Sequence, residues 1–340
     1  MKILYGVNGE GMGHAMRSAE IIKNLSKDHE IKIIAGGKAA DYLKKFNNLK
    51  KVNYLSFVTK NGKIYYFKTA LFNLLQSPIL ICNFFSILIK SIFNRPNLII
   101  TDFEPLTSYT SLILRIPLIS FDNQHIVTDT QIPVKNPFAL SLYKTTVSLM
   151  TPFPKKKVIT TFFYPKLLKK NSVLVPPVIR EIIAKQKPRN GKHLLVYLGM
   201  KNDSLLSSLN NLKIHCIVYG KTSLKSSKYL KMKKFDEYAF AADLANSKAV
   251  ICNAGLTTLT ESLYLKKPIL CIPLKGQVEQ ELNAYYLKKY NYGLSTDKIN
   301  SQTIKKFLNA LSKYKAELRK VNFSNIQILQ ALKKIISQVT

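Results

Sequence analysis

From its amino terminus the chain alternates short apolar runs with longer stretches in which apolar residues recur every three or four positions. KILYGV opens it, a helical pattern follows from about Ala15 to Leu25, and IKIIA, NLIIT, PLISF and KVITT come after. Runs that are apolar throughout suit strands covered on both faces, and strands separated by helices suit a parallel sheet. The segment from Pro176 to Lys192, with three prolines and a glycine, reads as a linker. Near residue 190 the alternation restarts with HLLVYLG, IHCIVYG, KAVICN and PILCIP. At 340 residues and 46% apolar the chain is long enough for two cores. The pattern predicts an α/β protein of two doubly wound domains facing a cleft, residues 1–178 and 179–340. The helical end, Thr303 to Gln338, is placed to pack across, its last helix crossing back to the first domain.

One stretch departs from this scheme. Thr69 to Phe93 is oily, but Thr69, Asn73, Gln76, Asn83, Ser86 and Lys90 recur at three, four or seven residues and draw a narrow polar stripe on a helix. Pro78 is expected to break or kink that helix near Ser77. A membrane span needs about 20 mostly apolar residues, and the stripe and break count against one. A buried helix pair and a membrane-surface face are the other readings, the second supported by Lys60, Lys63 and Lys68 just upstream.

The formal charge of +33 changes the picture less than its size suggests, because 46 of the 52 basic residues are lysines, scattered from end to end, and only six are arginines. Base readout and bidentate phosphate binding favour arginine, so no nucleic-acid partner is expected. A genome-wide lysine bias and attraction to an anionic membrane surface both account for the charge. Cys82, Cys216, Cys252 and Cys271 show no C-x-x-C spacing, which argues for buried thiols in a reducing compartment. The start, MKILYGVNG, is too short for a signal-peptide core. The expected location is the cytoplasm, peripheral on the membrane face if the surface reading holds.

Two stretches carry candidate chemistry. Asn8-Gly9-Glu10-Gly11-Met12-Gly13-His14 follows the first strand and opens the first helix. Its glycines are not spaced Gly-x-Gly-x-x-Gly, and the second strand ends in Ala35-Gly36-Gly37 without an acid, so a redox dinucleotide site is disfavoured. Gly11 and Gly13 instead leave room for a substrate beside His14, a candidate base. Asp102, in NLIITDFEP at a strand's carboxyl end, is a candidate to orient that imidazole. A satisfied loop histidine and an N-cap carboxylate are the plainer readings of the two. His125 in FDNQHI, at another strand end, is a weaker candidate for the same pocket.

The second stretch runs from Ile251 to Asn283 and reads as strand, glycine turn, helix start, strand and acidic-amide loop. Gly255 permits a tight turn, and Thr257 and Thr258 stand where free N–H groups at a helix start face an anion. Glu261 sits one turn on, within reach of sugar hydroxyls. No Asp-x-Asp pair occurs, so no metal is expected, and helix dipole and hydroxyls would carry a diphosphate's charge.

These residues carry a family resemblance. GEGMGH resembles the glycine-rich loop and catalytic histidine of GT-B-fold glycosyltransferases of the MurG-like and UDP-glucuronosyl or plant-type branch. Asn253 to Glu261, NAGLTTLTE, resembles the core of their nucleotide-sugar signature, continuing through Pro268 and Pro273 to Glu279-Gln280 and Asn283. FDNQH and TDFEP resemble a less characterised bacterial and archaeal subgroup. Asn253 stands where the plant-type signature has a histidine that touches phosphate, and the chain has no tryptophan, which that signature carries.

The resemblance implies two Rossmann-like domains, the first binding acceptor and the second nucleotide-sugar. It implies inverting, metal-independent transfer of a sugar from a UDP-sugar to a hydroxyl of a lipid-linked or cell-surface glycan, with no cofactor beyond that co-substrate. His14 would be the base and Asp102 its orienter, with Gly11, Gly13 and His125 on the acceptor side. Gly255, Thr257 and Thr258 would hold the diphosphate, Glu261 the ribose, and Glu279 with Gln280 the donor sugar, and Asn253 on the donor side can still donate a hydrogen bond. A UDP-sugar 2-epimerase on the same scaffold is the alternative enzyme. A non-catalytic basic protein bound to membrane or nucleic acid is the alternative outside catalysis.

Overall fold

The computed structural model of the chain describes every residue except 57, 61, 62, 65, 134 and 135, and only the backbone of 59, 60, 63, 64, 66 and 70, so the side chains of Lys60 and Lys63 lie outside the described ones. The chain divides into two compact units, residues 1–60, 64–178 and 324–340 in the first and chiefly 179–323 in the second.

In chain order the first unit contains β1 (Lys2–Val7), α1 (Met12–Leu25), β2 (Glu30–Gly36), α2 (Gly37–Leu43), β3 (Leu49–Val52), the short pair β4 (Thr59–Lys60) and β5 (Lys63–Ile64), and α3 (Tyr66–Phe93). There follow β6 (Leu98–Asp102), α4 (Pro105–Leu114), β7 (Leu118–Asp122), α5 (Ile126–Asp129), α6 (Pro137–Met150), β8 (Lys156–Thr160) and β9 (Ser172–Val175). Seven strands form one sheet in the order β3-β2-β1-β6-β7-β8-β9, with parallel pairing. β6 and β7 are buried along their whole length, which is why their sequences are apolar throughout rather than alternating. Strand order reverses between β1 and β6, so the loops after these neighbours leave in opposite directions. That switch point, outside the carboxyl ends, is where open α/β sheets bind ligands.

The second unit contains α7 (Glu181–Ala184), β10 (Leu194–Leu198), α8 (Asp203–Asn211), β11 (Cys216–Gly220), β12 (Leu230–Lys233), α9 (Glu237–Ala245), β13 (Ala249–Cys252) and α10 (Leu256–Tyr264). It continues with β14 (Ile269–Cys271), α11 (Val278–Lys289), β15 (Gly293–Ser295), α12 (Ser301–Asn309) and α13 (Leu311–Leu318). Its parallel six-stranded sheet has the order β12-β11-β10-β13-β14-β15, with its own switch point between β10 and β13. The segment read as a linker is not one throughout, since the unit boundary falls between Val178 and Ile179 and α7 lies within it.

The helical end is three helices, and only α14 (Asn325–Val339) belongs to the first unit. Ile328, Leu332, Ile335, Ile336 and Val339 form its apolar stripe and join the core that β1, β2, α1 and α2 build on one face of the first sheet. The other face carries a smaller core, in which Ile87 of α3 meets Leu4, Ile34, Ile99 and Leu118.

The helix α3 continues without a break through Pro78, at the cost of one N–H to Leu74. It corrects one expectation: it is not half of a buried pair, because little of its apolar surface is covered. Phe67 is 81% exposed, Leu74 67%, Leu75 71% and Phe93 87%. The polar stripe points inward instead. Thr69 accepts from Val58 N at 3.0 Å, Asn73 accepts from Ser56 N at 3.1 Å and donates to Ser56 O at 3.0 Å, and Gln76 accepts from Asn53 at 3.0 Å. Ser86 accepts from Lys50 at 2.6 Å. The stripe thus meets the Lys50 side chain of β3 and satisfies backbone groups of Ser56 and Val58 beyond that strand, while the oily side faces out. Cys82 is exposed on this helix, unlike the other three cysteines, which are buried.

Candidate active site

In the first unit the β1–β6 switch point gathers His14, Arg17, Ser18 and Asp102. Parallel pairing sets Val7 opposite Asp102, and Asn8 donates its N–H to Asp102 O at 3.0 Å and its amide to Phe103 O at 2.8 Å, fixing the loop. Gly11, with φ 87°, turns the chain into α1. The helix begins at Met12, three residues earlier than its apolar pattern, which puts Gly13 and His14 in the first turn, and Arg17 and Ser18 one turn further on the same side.

Three polar partners converge on one carboxylate. Asp102 is fully buried, its Oδ1 lies 2.7 Å from His14 Nδ1, and its Oδ2 accepts from Arg17 Nε at 2.8 Å and Ser18 Oγ at 2.8 Å. Arg17 Nη2 also donates to Oδ1 and lies 3.0 Å from His14 Nδ1, and Nη1 donates to Asn123. Burial alone would raise the Asp102 carboxyl, but the charges of Arg17 and His14 outweigh it and hold it below its ordinary range. An ionised Asp102 fixes the imidazole by its Nδ1 side and leaves Nε2 to exchange a proton; the Gln124 amide lies 3.4 Å from it. Phe103, beside Asp102, has φ 58° and stacks on the His14 ring at 6.4 Å. A left-handed phenylalanine is strained, and such strain clusters at functional sites. Glu104, not Asp102, is the N-cap: its oxygens accept from Leu106 N at 3.0 Å and Thr107 N at 2.7 Å.

His125 belongs to a second buried pair. Its Nδ1 lies 2.7 Å from Asp122 Oδ2, its N–H donates to Asp122 Oδ1 at 3.1 Å, and only 2% of the residue is exposed. Burial raises the Asp122 carboxyl, but the His125 charge and hydrogen bonds more than offset this and depress it strongly.

In the second unit the β10–β13 switch point gathers the other candidates. Asn253 Oδ1 accepts from Gly199 N at 2.9 Å and its amide donates to Ile272 O at 2.9 Å, so the side chain ties together the ends of β10, β13 and β14. Gly255 caps α10 with an ordinary φ of −68°, and a Cβ built there would meet nothing within 4 Å. Space, rather than an unusual backbone, is what this glycine supplies. No side chain caps α10, so its first N–H groups, including those of Thr257 and Thr258, face that space. Gln280 is buried and accepts from Leu274 N at 3.0 Å, bracing the loop that precedes α11, while Glu279 is half-buried in the first turn of that helix. Glu261 is 1% exposed, and both its oxygens accept from Arg180, Nε at 2.5 Å and Nη2 at 2.8 Å. Arg180 Nη1 also donates to Glu237 at 2.8 Å.

Sequence reasoning passed over Arg17 and Arg180. The signal was scarcity: in a chain with six arginines among 52 basic residues, these two are buried, and each grips a buried carboxylate with two nitrogens. Lysine has no such fork.

Two parallel doubly wound sheets, each with its candidate residues at a switch point, define the GT-B glycosyltransferase class. The chain belongs to glycosyl transferase family 1, whose model matches residues 1–312. It is 25% identical over 333 residues to an uncharacterized glycosyltransferase of Methanosarcina mazei, covering 86% of this chain and 85% of that one. It is 27% identical over 213 residues, 54% of this chain and 56% of the other, to a Bacillus thuringiensis UDP-N-acetylglucosamine--N-acetylmuramyl-(pentapeptide) pyrophosphoryl-undecaprenol N-acetylglucosamine transferase. Among solved structures, a Phytolacca americana protein complexed with UDP-2fluoro-glucose and pterostilbene superposes with a TM-score of 0.70 at 12% identity, over 99% of this chain and 98% of that one. Acinetobacter baumannii MurG does so with 0.61 at 15%, over 98% and 99%.

Proposed function

We propose that this glycosyltransferase moves a sugar from a UDP-sugar to a hydroxyl of a lipid-linked acceptor, with inversion and without a metal, at the cytoplasmic face of a membrane. The observation that carries the chemistry is the His14–Asp102 pair at the first switch point, with Nε2 of the imidazole unclaimed by the carboxylate. In the proposed step the acceptor O–H gives its proton to His14 Nε2 while its oxygen bonds the anomeric carbon. The bond from that carbon to the diphosphate breaks in line, and UDP leaves with the electron pair. Asp102, itself gripped by Arg17 and Ser18, stabilises the imidazolium without taking its proton. The uncapped start of α10 and the open space at Gly255 favour the departing diphosphate.

The donor and acceptor classes draw on the Bacillus thuringiensis relative, whose name states a UDP-sugar donor and a pyrophosphoryl-undecaprenol acceptor. The outward apolar face of α3 supports a membrane site, and two other helices of the unit expose apolar side chains too, Ile113 of α4 at 54% and Phe138 of α6 at 80%. The stripe's inward hydrogen bonds favour a helix lying on the bilayer over one spanning it. The test is a donor screen with a short-chain polyprenyl-diphosphate sugar as acceptor, followed by NMR of the new linkage. UDP is expected to raise thermal stability by about 2.7 kcal/mol at roughly a hundredfold excess over its dissociation constant, and the product to carry the anomeric configuration opposite to the donor's. A product with retained configuration would rule out single displacement.

A further inference from the structure

At the edge of the first sheet opposite the switch point, a cavity of about 280 Å³ opens between the amino-terminal ends of β1, β2 and β3 and the last turns of α3. Its size is near the lower end of the ~300–1,000 Å³ typical of small-molecule sites. Leu4, Ile34 and Ile87 supply apolar wall, and Lys2, Lys32, Lys50 and Lys90 supply four cations. The described ionic contacts leave these four without an acid: Lys50 donates to the hydroxyl of Ser86 and Lys2 to the amide of Asn94 at 2.7 Å, and no ion pair joins any of them to Glu30, the one acid among the described lining residues. Burial and the neighbouring charge of Lys90 push Lys50 below its ordinary value. Like charges gathered around a cavity are costly until an anion enters it. Beside Lys90, Ile89, Ile92 and Phe93 are exposed at 51%, 55% and 87%.

We propose that this cavity binds the phosphate-bearing headgroup of an anionic lipid, with Lys50 and Lys90 as its principal phosphate contacts. The proposal rests on the reading of α3 as a helix lying on a bilayer. An acyl chain leaving the cavity would run along the oily side of its last turns, and the helix would be held at a fixed depth by the headgroup.

The test compares the wild type with Lys50→Gln/Lys90→Gln and with a charge-matched control, Lys27→Gln/Lys334→Gln, whose lysines are exposed on α14 and at the end of α1, elements of the other core. Sedimentation with vesicles of phosphatidylcholine alone, or mixed with phosphatidylglycerol, measures membrane binding, and thermal shifts with glycerol 1-phosphate and inorganic phosphate measure soluble anions. The expected result is a loss of roughly ten- to thirtyfold in the preference for phosphatidylglycerol vesicles in the cavity variant, a much smaller loss in the control, and unchanged transfer to a water-soluble acceptor. Equal losses in the two variants would overturn the site in favour of diffuse charge. A cavity-dependent shift with soluble phosphates but no vesicle preference would make it a site for a free phosphate ester and overturn the lipid. If the wild type ignored both vesicle types, the membrane reading itself would fail, and the soluble-anion shifts would report the cavity separately.

Discussion

Arg17 and Arg180 solve the same problem at the two switch points: each gives a buried carboxylate two parallel N–H donors and a compensating charge. Arg17→Lys keeps the charge and loses the fork, so Asp102 holds the imidazole less firmly. Steady-state kinetics should show kcat lower by about ten- to a hundredfold, with the donor KM nearly unchanged. Asp102→Asn tests the charge itself. Because the folded carboxyl titrates below its unfolded value of about 3.9, its stabilisation is present above that pH and lost as pH falls through the folded value. Urea unfolding should therefore show the wild type more stable than the asparagine variant at neutral pH, with the gap narrowing only below about pH 4. Narrowing already at pH 6 would contradict the assignment. Gly255→Ala separates folding from binding: with an ordinary φ and no atom near the added methyl, stability should stay within about 0.5 kcal/mol, while the UDP-induced thermal shift should fall by roughly half or more.

Among elements, α3 shows what periodicity can and cannot tell. Thr69, Asn73, Gln76, Ser86 and Lys90 were legible as one stripe because helical spacing is local, but which side of a stripe faces protein depends on what lies across from it. Here that is Asn53, Ser56 and Val58, and the Ser56 and Val58 backbone groups need partners. Strand runs and the helix after Gly255 were legible for the same local reason. The meeting of Asp102 with His14 depended on strand order, with β6 rather than β2's sequence neighbour beside β1, and order is a property of the whole sheet. Leu74→Glu/Leu75→Glu tests the outward face. Both side chains are mostly exposed, so thermal stability should move by less than about 0.5 kcal/mol. Vesicle sedimentation should fall by tenfold or more, since two apolar anchors become anionic; unchanged sedimentation would remove α3 from the membrane contact.

For the whole molecule, the +33 charge is carried mostly by dispersed lysines, whereas the candidate site residues include a few buried ionic clusters. The family match over residues 1–312 fixes the class of reaction, and the proposed step draws on a histidine–aspartate pair in the first unit and an uncapped helix start in the second. The most direct measurement is transfer by His14→Ala beside its UDP-induced thermal shift. A rate lower by about 10²–10⁴ is expected with the thermal shift intact, because the proposed donor residues lie in the other unit. Transfer at near wild-type rate would contradict His14 as the base.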